Sequence, residues 1–238
     1  MRIGIIGYGR MGKTIEKLAV EKGHEISLKI DLENQADLND ENLKKLDVVI
    51  EFTTPTTAFE NVIKCIDAGV PVISGTTGWQ DKFVEAKTHC YEKSGAMLVS
   101  SNFSIGVNLF FALNKKLAEM MLPYQDYTLS LSETHHTKKL DAPSGTAITL
   151  AEGIMSINDA KTKWVNEQSS DSDTVPIISI REPDVPGTHV INYKSEIDSI
   201  EIKHEAYSRI GFASGALLAA EWIVEKSGVY EMKDVLGL

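Results

Sequence analysis

RIGIIGYGRMGKTIEKLAVEKGHEISLKID, residues 2–31, decides how this chain is built. Residues 2–6 are a short, largely β-branched run of the kind that forms a strand buried on both faces. Gly7-Tyr8-Gly9-Arg10-Met11-Gly12 follows at once and fits G-x-G-x-x-G, after which the pattern is helical from about Arg10 to Lys22. A second strand over 25–30 ends at Asp31, 19 residues beyond Gly12. Each part has a physical role in holding a dinucleotide. Gly7 permits the tight turn, Gly9 lets backbone approach a pyrophosphate, Gly12 lets the helix pack close to the sheet, and Asp31 can accept from a ribose hydroxyl. Tyr8, Arg10 and Met11 complete the loop. The plain alternative is a strand–helix turn whose glycines serve packing only. A P-loop is excluded, because no Gly-Lys-[Ser/Thr] closes the motif.

The same grammar continues outward. Strand-like 46–52 leads to a helix over about 56–68, with Phe59, Val62, Ile63 and Ile66 at helical spacing and Gly69 as its C-cap. PVIS at 71–74, a helix over about 80–94 and AMLVS at 96–100 follow. This repetition calls for a parallel sheet covered on both faces and joined by right-handed crossovers. Two more loops then fall at the carboxyl edge of that sheet, Gly75-Thr76-Thr77-Gly78 and Ser100-Ser101-Asn102-Phe103. Either satisfies ordinary turn chemistry, but their shared edge points to cofactor contact.

After Asn102 the pattern changes. A helix over about 106–121 precedes YTLSLSET, a cleanly alternating strand, and another helix covers 144–157. NEQSSDSD at 166–173 reads as an exposed loop. Runs at 175–181, 188–194 and 199–205 are strands without intervening helices, which indicates a second domain of α+β type with a mixed sheet. An Ala-rich helix over about 213–226 closes the chain. The fold class is therefore α/β, a Rossmann-type nucleotide domain plus an α+β domain.

Composition narrows the function. With 24 Lys and Arg against 34 Asp and Glu, the 238-residue chain has a net charge of −10, which argues against general nucleic-acid binding. No apolar run approaches the roughly 18–20 residues that span a membrane, and no signal peptide is evident at the start. Cys65 and Cys90 suit a reducing compartment, so a cytoplasmic protein is expected.

The most unusual segment is Glu133-Thr134-His135-His136-Thr137-Lys138-Lys139-Leu140-Asp141-Ala142-Pro143-Ser144-Gly145-Thr146-Ala147. It sets two of the six histidines and two lysines at a strand end, just before a helix that Ser144 can cap. Backbone N–H groups near Gly145 and Thr146 are then free for an anion. Imidazoles, ammonium groups and a helix N-terminus together describe a carboxylate site with a proton donor. A solvated basic turn is the bland alternative. A zinc site fits poorly, because two adjacent histidines lack a cysteine partner, and no metal is expected.

Together, GYGRMG, GTTGW, SSNFSIGVN, ETHHTKKLDAPSGTA and IEIKHEAYSRIGFASGAL resemble the dihydrodipicolinate reductase family over nearly the whole chain. The resemblance implies NADH- or NADPH-dependent reduction of 4-hydroxy-tetrahydrodipicolinate to tetrahydrodipicolinate, with loss of water, in the diaminopimelate route to lysine. It implies His135 as acid/base and Lys139 as the other proton donor. His136, Gly145 and Thr146 would hold the substrate's carboxylates. Gly7, Tyr8, Gly9, Arg10, Met11 and Gly12 would hold the pyrophosphate and Asp31 the adenosine ribose. Gly75, Thr76 and Thr77 would meet the nicotinamide half, and Ser100, Ser101, Asn102 and Phe103 would line the cofactor from a hinge. It also implies a nucleotide domain over 1–102 and 207–238, a substrate domain over 103–206 and a homotetramer built through the latter. Two departures stand out: the second domain is short before VPIISIR, and Leu32 follows Asp31 where NADPH-using relatives carry a basic residue. NADH is therefore expected to serve at least as well as NADPH. The competing readings are a related amino-acid or sugar dehydrogenase and a catalytically silent nucleotide sensor, which would not need His135 and Lys139.

Overall fold

The chain alternates strands and helices through its first hundred residues, and the computed structural model describes every residue but Arg209. In order come β1 (Arg2–Ile6), α1 (Arg10–Glu21), β2 (Glu25–Ile30), a 3-10 turn over Leu32–Asp37, α2 (Asp40–Leu43), β3 (Val48–Glu51), α3 (Pro55–Asp67), β4 (Val72–Ser74), α4 (Phe83–Glu92) and β5 (Ala96–Val99). The remainder runs α5 (Ile105–Met121), β6 (Thr128–His135), α6 (Gly145–Met155), β7 (Lys163–Val165), β8 (Thr174–Arg181), β9 (Gly187–Lys194), β10 (Ser199–Ala206), α7 (Ile210–Ile223), β11 (Gly228–Tyr230) and α8 (Met232–Leu236). Two compact units result, Met1–Ile105 with Ile210–Leu238, and Gly106–Arg209. Both divisions fall three residues later than the family resemblance implies.

In the first unit all six strands are parallel, in the order β11-β5-β4-β3-β1-β2. Strand alternation divides the core between the two faces. Ile3, Ile5, Val48, Ile50, Ile73 and Leu98 pack on one side with Ile15 of α1 and the Ala-rich face of α7. Ile6, Val49, Val72 and Met97 pack on the other with Val62 and Ile66 of α3 and Ala86 of α4. The small residues of α7 have a steric reason: a Cβ on Gly215 would come within 1.7 Å of the Phe103 carbonyl oxygen. The strand order reverses between β1 and β3, so the crevice for a ligand opens at their carboxyl ends. β11 and α8 are additions to the sequence reading, and β11 extends the sheet beyond β5. The helix expected over 80–94 is a 3-10 turn over Gln80–Lys82 followed by α4.

The second unit holds a mixed sheet in the order β10-β9-β6-β8-β7, with β6 parallel to β8 and antiparallel to β9. Leu129 and Leu131 of β6, Val175 and Ile177 of β8 and Ile191 of β9 pack against α5 and α6 through Phe110, Leu117, Leu150 and Ile154. The three-residue β7, absent from the sequence reading, adds an edge through parallel pairing with β8.

Candidate active site

The buried face of β6 changes character along its length. Leu129 and Leu131 are followed, at the same period-two spacing, by Glu133 and His135, all buried. Sheet register then gathers residues from both neighbouring strands. Ser179 and Arg181 of β8 lie opposite Glu133 and His135, and His189 of β9 lies opposite Glu133.

Glu133 is the centre of this cluster. Its Oε1 accepts from the Ser144 N–H at 3.0 Å, from Ser179 Oγ at 2.8 Å and from Arg181 Nη2 at 3.3 Å. Its Oε2 lies 3.1 Å from His135 Nδ1 and 3.8 Å from His189 Nε2. Burial pushes the Glu133 carboxyl up, but His135, Ser144 and Ser179 outweigh burial and hold it far below the usual carboxylate range. Arg181 also donates to the Asp141 carbonyl at 2.7 Å, tying the cluster to the loop that leads into α6.

The two imidazoles stand edge to face, 5.1 Å apart. Burial, aided by the neighbouring His135, pushes His189 down to about 3, so it is neutral near pH 7. Its Nε2 lies 3.2 Å from Ser144 Oγ. A Cβ on Gly187 would meet His135 Nε2 at 3.0 Å, so glycine there keeps that nitrogen uncovered.

His136 lies just past the end of β6, half-buried, and its Nδ1 is buried without a hydrogen-bond partner. The Lys139 ammonium is held 2.7 Å from Asp141 Oδ2. Ser144 caps α6 by accepting from the Ala147 N–H at 3.2 Å. Among the described residues, no hydrogen bond takes the N–H of Gly145 or Thr146, which open the helix. Carboxylate, imidazoles and helix terminus together can bind an anion and deliver a proton beside it. Sequence reading singled out His135, His136, Lys139, Gly145 and Thr146 but missed Glu133, Ser179, Arg181 and His189 as partners. Glu133 carried a signal, being an acid in phase with the buried leucines.

At the crevice of the first unit, Gly7 has φ +94°, and a Cβ there would meet the Phe52 carbonyl oxygen at 1.9 Å. A Cβ on Gly9 would meet nothing within 4 Å. Gly9 N-caps α1 without any side-chain bond, so the first-turn N–H groups face open space of the kind a pyrophosphate fills. Tyr8 is set by its hydroxyl bond to Glu16, with Lys29 and Lys13 over its ring. Asp31 is exposed at the end of β2 and caps the turn that follows, and Leu32 beside it is 86% exposed. Ser101 and Thr77 are exposed, whereas Thr76 is buried with its hydroxyl turned inward to Glu51. Phe103 is also a core residue, its ring 5.7 Å from Phe52, so only its backbone can meet a ligand. These residues fit a dinucleotide.

Comparison with known proteins gives the family. Family models described as dihydrodipicolinate reductase, N-terminus, and dihydrodipicolinate reductase, C-terminus, match residues 1–103 and 106–236. The chain belongs to the dihydrodipicolinate reductase family. A 4-hydroxy-tetrahydrodipicolinate reductase of Christiangramia forsetii is 48% identical over 238 residues, covering 99% of this chain and 98% of the relative. Another member, from Neisseria gonorrhoeae, is 35% identical over 230 residues, 94% of this chain and 84% of the relative. Among solved structures, a dipicolinate-bound dihydrodipicolinate reductase from Paenisporosarcina sp. TG-14 aligns at a TM-score of 0.78 and 26% identity, covering 97% of each chain. Family membership brings the oxidoreductase class with it. Among the described residues, no helix is long and apolar enough to cross a membrane.

Proposed function

We propose that this chain uses NADH or NADPH to reduce 4-hydroxy-tetrahydrodipicolinate to tetrahydrodipicolinate, with loss of water, in the cytoplasmic route to diaminopimelate and lysine. The observation that carries the reading is the end of β6, where an imidazole beside a buried carboxylate adjoins a helix terminus with free N–H groups.

In this reading one substrate carboxylate docks on the Gly145 and Thr146 N–H groups and the Thr146 hydroxyl, with His136 as a further contact. The Gly7–Gly12 loop would hold the pyrophosphate, Asp31 the ribose and Gly75–Thr77 the nicotinamide half, with Ser100–Phe103 lining the cofactor; the dinucleotide would supply the hydride. Hydride addition to a conjugated imine leaves an electron-rich enamine that needs a proton on carbon. His135 gives that proton from Nε2, the nitrogen Gly187 leaves uncovered, while Nδ1 faces Glu133. Glu133 fixes the ring's orientation and stabilises charge on it, and Arg181 balances Glu133. Loss of water comes first: Lys139, held by Asp141, protonates the departing hydroxyl. His135 takes the proton lost from the adjacent ring carbon, the same proton it returns after the hydride arrives. The acidic Asp31 repels a 2′-phosphate and Leu32 adds no charge, so NADH serves at least as well as NADPH; the exposed Arg10 allows both.

Self-association through the second unit belongs to the same reading, supported by the exposed Ile180 and Ile200 on β8 and β10, and sedimentation should give a tetramer. The deciding experiment follows the absorbance of NADH and, separately, of NADPH with substrate generated in situ from pyruvate and aspartate semialdehyde. Oxidation well above background is expected; none would overturn the assignment.

A further inference from the structure

The first unit contains a second buried carboxylate, and it belongs to neither the substrate cluster nor any ion pair among the described residues. Glu51, the last residue of β3, is 0% exposed. Its Oε1 accepts from the Thr53 N–H at 2.9 Å, from Thr53 Oγ1 at 2.5 Å and from Thr76 Oγ1 at 2.8 Å. Its Oε2 accepts from Ser74 Oγ at 2.5 Å. Taking a carboxylate out of water is expensive, and such a group persists only when its lone pairs are satisfied. Here every donor comes from the ends of β3 and β4 or from the loops that leave them.

The loop after β3 has further ties, since Thr57 Oγ1 and Asn61 Nδ2 also donate to Thr53 Oγ1, whereas the loop after β4 has few. The Gly75–Thr77 loop has a backbone tie from the Gly75 N–H to the Glu51 carbonyl at 2.9 Å, and Trp79 Nε1 donates to the Thr76 carbonyl at 2.8 Å. Among the described residues, Thr76 has the loop's one hydrogen-bonded side chain, and the acceptor of its hydroxyl proton is Glu51. Thr53, held by the same carboxylate oxygen, also donates its N–H to Thr76 Oγ1 at 2.7 Å, so one acceptor sets both loops against each other. Phe52, between Glu51 and Thr53, carries the carbonyl against which Gly7 turns.

We propose that Glu51 is a positioning residue for the cofactor: by accepting from Thr53, Ser74 and Thr76 it holds the Gly75–Thr77 loop in the conformation that receives the nicotinamide half of the dinucleotide. The inference rests on that loop meeting the nicotinamide half. Glu51 touches neither substrate nor cofactor itself. A merely structural carboxylate would affect stability without distinguishing one half of the cofactor from the other.

The test compares dissociation constants for NADH and ADP-ribose, well below the unfolding midpoint, in Glu51→Met, Glu51→Gln and Thr77→Ala. Methionine keeps the bulk and removes every acceptor, so NADH should bind about tenfold more weakly, while ADP-ribose, which lacks the nicotinamide, should change by less than about twofold. Glutamine can present its oxygen to the three Oε1 donors and its amide to Ser74, so it should recover most of the loss. Equal losses for both ligands in Glu51→Met, or no loss for either, overturn the proposal. If Thr77→Ala weakens NADH and Glu51→Met does not, the loop meets the nicotinamide but Glu51 does not position it. If neither variant affects NADH, the loop's own assignment has failed and Glu51's falls with it. Should Glu51→Met not fold, Thr76→Val removes the loop's side-chain bond to Glu51 and is read the same way.

Discussion

Two glutamates, each at or near the carboxyl end of a central strand, are buried in this protein, and they are handled in opposite ways. Glu51 is surrounded by neutral donors: three hydroxyls and an N–H. Glu133 has an N–H and a hydroxyl as well, but also a guanidinium and two imidazoles. Neutral donors can fix a carboxylate and the loops that supply them, yet they offer no proton in the neutral pH range. Imidazoles do, because their ordinary proton affinity lies there. In the proposed reading the same side chain serves as a staple in one unit and as the support of a proton donor in the other, and its neighbours decide which. Arg181 keeps the second arrangement from carrying unbalanced charge into the interior.

The largest test of that contrast is His135→Gln. A positioned acid is worth about 10²–10⁴-fold, so kcat should fall by that factor with the NADH dissociation constant unchanged. Near-full kcat in a folded variant would reduce the Glu133 cluster to a second staple. Next comes Glu133→Gln, which leaves His135 unsupported and Arg181 uncompensated. It should lower kcat by about 10²-fold and stability by about 3 kcal/mol, read by turnover and denaturant titration, while ADP-ribose binding stays constant.

A smaller effect separates the two units by pH. His189 titrates at about 3 when folded against 6.5 as its ordinary value. Between those values the unfolded chain binds a proton that the folded chain refuses, so stability falls as pH drops below 6.5. At pH 5 the loss from this group should reach about 2 kcal/mol. His204, also lowered by burial, adds in the same direction, whereas Glu133 contributes only at lower pH. His189→Asn should flatten the slope between pH 7 and 5; an unchanged slope would assign it elsewhere. Smallest is Asp31→Ala, expected to cut kcat/KM for NADH about tenfold and leave NADPH nearly unaffected. A tenfold advantage for NADPH in the unmodified protein would reverse the cofactor reading.

Much of this was legible from local periodicity. Residues 2–31 show strand, glycine turn, helix and acid within one window, because burial on both faces of a parallel strand and the 3.6-residue helical repeat act over a few residues. The helix cap at Ser144 and the basic run before it are equally local. Two edge strands escaped. β7 and β11 are three residues each, as is β4, but β4 is fully buried and shows as an apolar run, whereas the other two are partly exposed and carry no such run. The loops of Thr76 and Phe103 are legible in the sequence, but that packing turns the hydroxyl of one inward and buries the ring of the other is not. The partners of His135 needed more than a local reading. Ser179, Arg181 and His189 are more than 40 residues from Glu133 along the chain, and only strand register sets them opposite it. The sequence by itself determined which segments become strands and helices and which loops carry chemistry, since those follow from neighbours in the chain. Tertiary structure alone decided which buried carboxylate meets imidazoles and which meets hydroxyls, since register is a long-range choice made by the whole core.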